Sequence, residues 1–147
     1  HNSLMIRPTM MQKKHGRSPR GVAAKPIFVV HEHRTKRPHW DFRLELNGVL
    51  KSWAVPKRPP RRAGIKRLAM QVEDHDLEYA DFQGQIAEGE YGAGIVKIWD
   101  RGEYEMLDMN RNSLKFMLYG QLLHGTYVLC KYARAGKAAW LFFKTHA

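Results

Sequence analysis

The chain contains a single cysteine, Cys130, in 147 residues. One thiol excludes an internal disulfide and a multi-cysteine zinc site, and fits a reducing compartment. No apolar run approaches the roughly 18 residues that a helical membrane span needs. Nor does an apolar stretch follow the basic N-terminal residues, so no secretory leader is expected. Charge of one sign is missing by blocks. Residues 1–31 carry Arg7, Lys13, Lys14, Arg17, Arg20 and Lys25 without an acid. Residues 46–72 carry Lys51, Lys57, Arg58, Arg61, Arg62, Lys66 and Arg67, again without an acid. Between 68 and 96 the sign inverts, with acids from Glu73 to Glu90 and no Lys or Arg. A merely solvated surface mixes its signs, whereas segregated blocks suit a face that tracks phosphates. The net charge of +11 therefore points to nucleic acid, ahead of an anionic membrane, because no basic amphipathic helix is evident.

Hydrophobic residues at 44% and aromatics at 11% are sufficient for one packed domain. Residues 1–26, with Pro8, Gly16, Pro19, Gly21 and Pro26, read as an irregular basic arm. From Ile27 to Ala147 short strands alternate with turns. "IFVVHEH" is strand-like. "HWDFRLEL" alternates strictly, placing Trp40, Phe42, Leu44 and Leu46 on a core face and His39, Asp41, Arg43 and Glu45 on a wet one. Asn47-Gly48 is a two-residue hairpin signal, since both central positions of a type I′ turn need positive φ. "VLKSWAV" returns as the partner strand. "RLAMQVED" follows; "GIVKIWD" and "EYEML" are expected to form a hairpin about Arg101-Gly102, and "SLKFMLYG" to pair with "HGTYVLCKY". "KAAWLFFKT" closes the chain after a turn at Ala135-Gly136. About eight strands without a long helix predict a mainly β domain, a compact antiparallel barrel or sandwich.

Same-face neighbours on a strand lie about 6.5–7 Å apart, so His39, Asp41 and Arg43 share one patch. His33 reaches the same patch from the preceding strand. His31 shares the parity of His33 and is assigned no role. Two imidazoles and a carboxylate leave coordination positions open, the catalytic rather than the closed structural pattern. Their mixed N/O character suits Mn²⁺, Zn²⁺ or Fe²⁺. Arg43 beside such a cation offers a bidentate fork to a phosphate or carboxylate. Gly89, Gly92 and Gly94 in "EGEYGAG" lack dinucleotide-binding spacing and read as a turn, and His124 reads as structural. Two other readings stay open at this level. One is a non-haem iron oxygenase using His39, Asp41 and a distal His75 or His124. The other is a non-catalytic nucleic-acid-binding barrel that stacks bases on Trp40, Trp53, Trp99 or Trp140.

The text "FVVHEH…RPHWDFRLELNGVLKSWAVPK", continuing through "KRLAMQVEDHDLEYADFQGQIAEGEYGAGIVKIWDRGEYE", closely resembles the 3′-phosphoesterase domain of bacterial non-homologous end-joining DNA ligases and its stand-alone archaeal and bacterial versions. The likeness covers about residues 27–105 and is looser through "LYGQLLHGTYVL" and "WLFFK". It implies a compact β-barrel and a Mn²⁺-dependent enzyme, with Zn²⁺ or Co²⁺ as alternatives. That enzyme removes a 3′-terminal ribonucleoside from a DNA or DNA/RNA primer-template end, then hydrolyses the remaining 3′-phosphate to a hydroxyl. By the same resemblance His33, His39 and Asp41 are the metal ligands, and Arg43 and His75 contact the scissile phosphate. Lys57, Arg67, Glu73 and Tyr79 fall in the family's other substrate-binding positions. Glu73, two residues from His75 along a strand, is expected to orient that imidazole. The implied setting is a prokaryotic cytoplasm at the nucleoid, a monomer acting beside a DNA ligase and an end-binding protein. One departure stands out. The family's opening arm carries Arg, Asp and Glu that assist the chemistry, whereas this arm has no acid, and Arg17 or Arg20 would have to serve as its phosphate-binding Arg.

Overall fold

The structure, a computed structural model, describes residues 25–89 and 93–146. Nine strands follow in chain order: β1 (Ile27–Arg34), β2 (His39–Leu46), β3 (Val49–Val55), β4 (Lys66–His75), β5 (Gly84–Ile86), β6 (Gly94–Asn110), β7 (Ser113–Tyr119), β8 (His124–Lys131) and β9 (Ala139–Lys144). Two single turns of 3-10 helix, Leu77–Asp81 and Ala133–Ala135, are the helical segments described. The strands pair in the order β1-β2-β3-β4-β9-β8-β7-β6, and β6 returns to pair with β1. The result is the expected closed eight-stranded antiparallel barrel, with β5 added on the outer flank of β6. Closure leaves these eight strands no free edge.

The Asn47-Gly48 turn forms as anticipated, with φ of 54° and 83°. It pairs Leu46 with Val49 and carries the register through Phe42–Trp53 to Trp40–Val55. The hairpin expected about Arg101-Gly102 does not exist. Residues Gly94–Asn110 form one continuous strand that pairs with β1 along its first half and with β7 along its second. Gly102 is needed there for close approach, because a Cβ would collide with the Tyr119 carbonyl oxygen. The chain turns instead at Asn110, whose side chain accepts the backbone N–H groups of Asn112 and Ser113.

Two apolar clusters result. Inside the barrel lie Phe28, Val30, Phe42, Leu44, Trp53, Phe116, Tyr127 and Phe142, with Trp40 packed half-buried at their margin. Leu46, expected on the core face, is half-buried at the strand end and outside this cluster. A second cluster sits on the outer face of the sheet: Val29, Leu50, Tyr79, Ala80, Phe82, Ile86 and Val96. The strand face expected to be wet is therefore covered. The 77–86 segment folds back over it, and Asp41 and Arg43 are 7% and 3% exposed beneath that second layer.

Candidate functional site

His33 and His39 are a directly opposed pair across β1 and β2, their rings 4.9 Å apart. Asp41, two residues along β2, lies with its Oδ2 3.3 Å from His39 Nε2 and 3.9 Å from His33 Nδ1. One ligand atom from each of the three falls within 4.8 Å of the others, the one such grouping among the described residues. The donor set fits a divalent cation. His39 Nδ1 donates to the Arg37 carbonyl at 3.1 Å, which aims Nε2 at Asp41 in the manner of an oriented metal-binding imidazole. Its hydrogen bond to Asp41 raises the His39 pKa against the opposing effect of burial. Burial pushes the Asp41 carboxyl upward, but the His39 hydrogen bond and the Arg43 charge outweigh it and hold the group ionised. The space between these atoms thus attracts positive charge, whether a proton or a metal ion.

Arg43 extends the site along the outer face, away from the triad. Its Nε donates to His31 Nδ1 at 3.0 Å and its Nη1 to Ser52 Oγ at 2.8 Å. Its Nη2 forms an ion pair with Asp41 Oδ2 at 3.4 Å. The Tyr79 ring covers the guanidinium with centroid 4.9 Å away. Burial lowers the Arg43 pKa, yet an arginine remains protonated under any ordinary condition. The bidentate fork anticipated from sequence is mostly engaged within the protein, and Nη2 is the end that faces the triad.

His75 arrives from β4, where it pairs with Leu50 after a register shift. Its Nδ1 lies 3.1 Å from both Arg43 Nη1 and the Glu73 carbonyl oxygen. One nitrogen cannot accept from the first and donate to the second. Beside a buried cation the accepting role is favoured, which places the ring proton on Nε2. Burial, then the Arg43 charge, lower the His75 pKa to about 4, so the ring is neutral near pH 7. Glu73 does not orient the imidazole through its carboxylate as expected; its side chain is exposed, and its backbone carbonyl is what meets the ring. The extra residue at the register shift breaks the spacing-of-two rule.

Tyr79 stacks on Phe82, and the His75 ring lies 4.8 Å from it. Lys57 is exposed on the loop between β3 and β4, at the end of the barrel where β2 begins, and Arg67 Nε donates to the Arg58 carbonyl of that loop at 2.8 Å. Within the site, two buried polar residues were not singled out by sequence reasoning: His31, fully buried, and Ser52, whose hydroxyl donates to the Leu50 carbonyl while accepting from Arg43. The parity of His31 with His33 was a signal for the first. Ser52 carried none, because a serine in a strand is unremarkable.

The other sequence readings fare less well. His124 opens β8 beside Tyr119 and, like His75, is outside the His33-His39-Asp41 grouping, so the expected triad of His39 and Asp41 with a distal His75 or His124 does not form; His33 is the second histidine of the set. Trp53 and Trp140 are 1% and 5% exposed and cannot serve as base-stacking platforms. Arg17, Arg20 and nearly all of the basic arm lie outside the described residues.

A small β-barrel with a His-His-Asp cluster that could hold a cation, beside a caged arginine on its outer face, is the class defined by this fold and site. Residues 31–131 match the DNA Ligase D 3′-phosphoesterase domain, and the chain belongs to that family. It is 46% identical over 136 residues to the Multifunctional non-homologous end joining protein LigD of Pseudomonas aeruginosa, an overlap of 88% of this chain and 16% of that protein. The Multifunctional non-homologous end joining DNA repair protein LigD of Mycobacterium tuberculosis is 47% identical over 118 residues, 74% of this chain and 16% of its own length. The LigD protein of Mycolicibacterium smegmatis is 42% identical over 113 residues, 69% of this chain and 15% of its own. The chain thus spans about a sixth of the length of these relatives. Among the described residues no helix is long and apolar enough to cross a membrane.

Proposed function

We propose that the protein is a divalent-cation-dependent phosphoesterase of DNA 3′ ends, with residues 27–147 as the catalytic unit and 1–26 as its basic arm. The observation that carries the reading is Arg43: a guanidinium 3% exposed, with one end facing a His-His-Asp donor set and another touching a neutral histidine. Among oxyanions, a phosphate ester is the group that a cation, a guanidinium and an imidazole N–H together match.

His33, His39 and Asp41 would hold the cation, Mn²⁺ first and Zn²⁺ or Co²⁺ as alternatives, which supplies Lewis-acid polarisation of a phosphate oxygen. Arg43 offers Nη2 to the same phosphate and opposes the charge that grows on it in the transition state. His75, neutral with its proton on Nε2, donates a hydrogen bond. To act as general acid the ring would first take up a second proton at Nδ1, which a bound dianion favours by Coulomb attraction and the Glu73 carbonyl can accept; it would then pass the Nε2 proton to the leaving oxygen and end neutral. Lys57, exposed on the β3–β4 loop, and Arg67, bonded to that loop, would contact the nucleic-acid backbone, and Tyr79 covers Arg43.

The substrate class is a DNA or DNA/RNA primer-template 3′ end. The reactions are removal of a 3′-terminal ribonucleoside and hydrolysis of the 3′-phosphate to a hydroxyl. The names of the relatives support a place in non-homologous end joining. Action beside a DNA ligase and an end-binding protein at the nucleoid, as a monomer in the cytoplasm, is part of the proposal. The test is incubation with Mn²⁺ and two duplexes, one ending in a 3′-ribonucleotide and one in a 3′-phosphate. Both are expected to be converted to 3′-hydroxyl ends, and EDTA is expected to stop the conversion. A folded protein that leaves both ends intact at every metal tried would refute the reading.

A further inference from the structure

We propose that His31 is a positioning residue that fixes the Arg43 guanidinium and ties it to the 77–82 segment, an inference that rests on the phosphoryl-transfer reading above. His31 is fully buried on β1, opposite Asp41 in the β1–β2 ladder. Both of its ring nitrogens are engaged, by partners of opposite kind. Nδ1 lies 3.0 Å from Arg43 Nε, which can only donate, so Nδ1 is the unprotonated nitrogen. Nε2 then carries the proton and donates to the Phe82 carbonyl at 3.0 Å. The two partners leave the imidazole a single tautomer, and neither nitrogen is free for a metal ion. This separates His31 from His33 and His39, its neighbours on the same face.

The geometry gives this tautomer a specific task. An arginine side chain has many rotamers, and a donor that stabilises a transition state is most effective when it needs no reorganisation during the reaction. Ser52 and His75 meet Nη1 and Asp41 faces Nη2, all at the outer end of the fork. The Nε–H bond to His31 is the contact at its inner end, and it fixes the direction in which Nη2 faces the triad. The Phe82 carbonyl directly follows the 3-10 turn that carries Tyr79 over Arg43, and the His31 and Tyr79 rings meet edge to face at 5.1 Å. His31 thus links the arginine to the segment that covers it.

Two substitutions separate this role from packing. In His31→Asn the amide oxygen can occupy the place of Nδ1 and still accept from Arg43. In His31→Gln the amide nitrogen can occupy the place of Nε2 and still donate to Phe82, but the acceptor for Arg43 is lost. On a 3′-phosphate duplex with Mn²⁺, His31→Gln is expected to lower kcat about tenfold to a hundredfold, with KM and Mn²⁺ affinity within about twofold of wild type. His31→Asn is expected to keep kcat within about threefold. In an Arg43→Ala background, His31→Gln is expected to cost nothing further. Equal losses in the two variants, an unchanged kcat in His31→Gln, or additive losses with Arg43→Ala would overturn the proposal. A measurement free of turnover accompanies these. The Arg43 Nε–H proton should exchange slowly and show scalar coupling to His31 Nδ1 in the wild type, and lose both in His31→Gln. If the wild type processes neither duplex, the phosphoryl-transfer reading fails by itself. The coupling then decides whether His31 holds Arg43, and its absence overturns that role.

Discussion

Phe42 and Arg43 are adjacent in β2 and both are buried, for opposite reasons. Phe42 enters the barrel among Trp53, Phe116 and Phe142, where the gain is the removal of apolar surface from water. Arg43 points out of the barrel into a second layer that exists only because the 77–86 segment covers it. Its burial costs solvation and is offset by Asp41, Ser52, His31 and the face of Tyr79. The inner side tolerates any well-fitting apolar set; the outer side needs each polar partner in place. One face of the strand holds the protein together, and the other aims a cation.

The comparison is most sharply broken at the triad. His39→Ala or Asp41→Ala should abolish Mn²⁺ binding, measured by titration calorimetry, and lower turnover by about 10³-fold or more while the fold survives. Arg43→Lys comes next. A lysine cannot satisfy His31, Ser52 and the substrate together, so kcat should fall by about 10²-fold with Mn²⁺ affinity retained. A kcat within a few-fold of wild type would show that the caged fork is not needed. Phe42→Ala should do the reverse. It should cost about 3–5 kcal/mol of stability in chemical denaturation and leave kcat of the folded fraction nearly unchanged.

A smaller effect is expected with pH. The folded pKa of His75 lies near 4, below its ordinary value of 6.5, so the unfolded chain binds more protons between these values. The stability this group contributes is complete above about pH 6.5 and is lost as pH falls toward 4. The loss is about 2 kcal/mol, less than the full shift implies because the ring is partly solvated. His31, also lowered by burial, acts in the same direction. Denaturation midpoints measured without added metal should therefore fall below pH 6.5, and His75→Asn should flatten the decline. Lys57→Ala should have the least effect. Cleavage efficiency should fall modestly, and the slope of log affinity for duplex against log salt should drop by about one.

How much of this was legible depends on the range of the interactions. Strict alternation in "HWDFRLEL" and the Asn47-Gly48 turn are local, and together they determined strand β2, its partner β3 and their register. With His33 opposite His39 across the β1–β2 hairpin, the whole His-His-Asp cluster was within reach of the sequence. Local rules failed where pairing or covering came from afar. The supposed turn at Arg101-Gly102 runs straight because β1 on one side and β7 on the other hold that backbone extended. The spacing of two between Glu73 and His75 was broken by a register shift against β3. Asp41 and Arg43 were expected in water, because alternation reports which face a side chain takes and not what later covers that face. The sequence by itself set β2, β3 and their register and brought His33, His39 and Asp41 together, through contacts a few residues apart. Only the tertiary structure buried Arg43 and gave His31 a role. The partner that fixes the His31 tautomer, the Phe82 carbonyl, lies 51 residues away and reaches it only once the segment has folded back over the barrel.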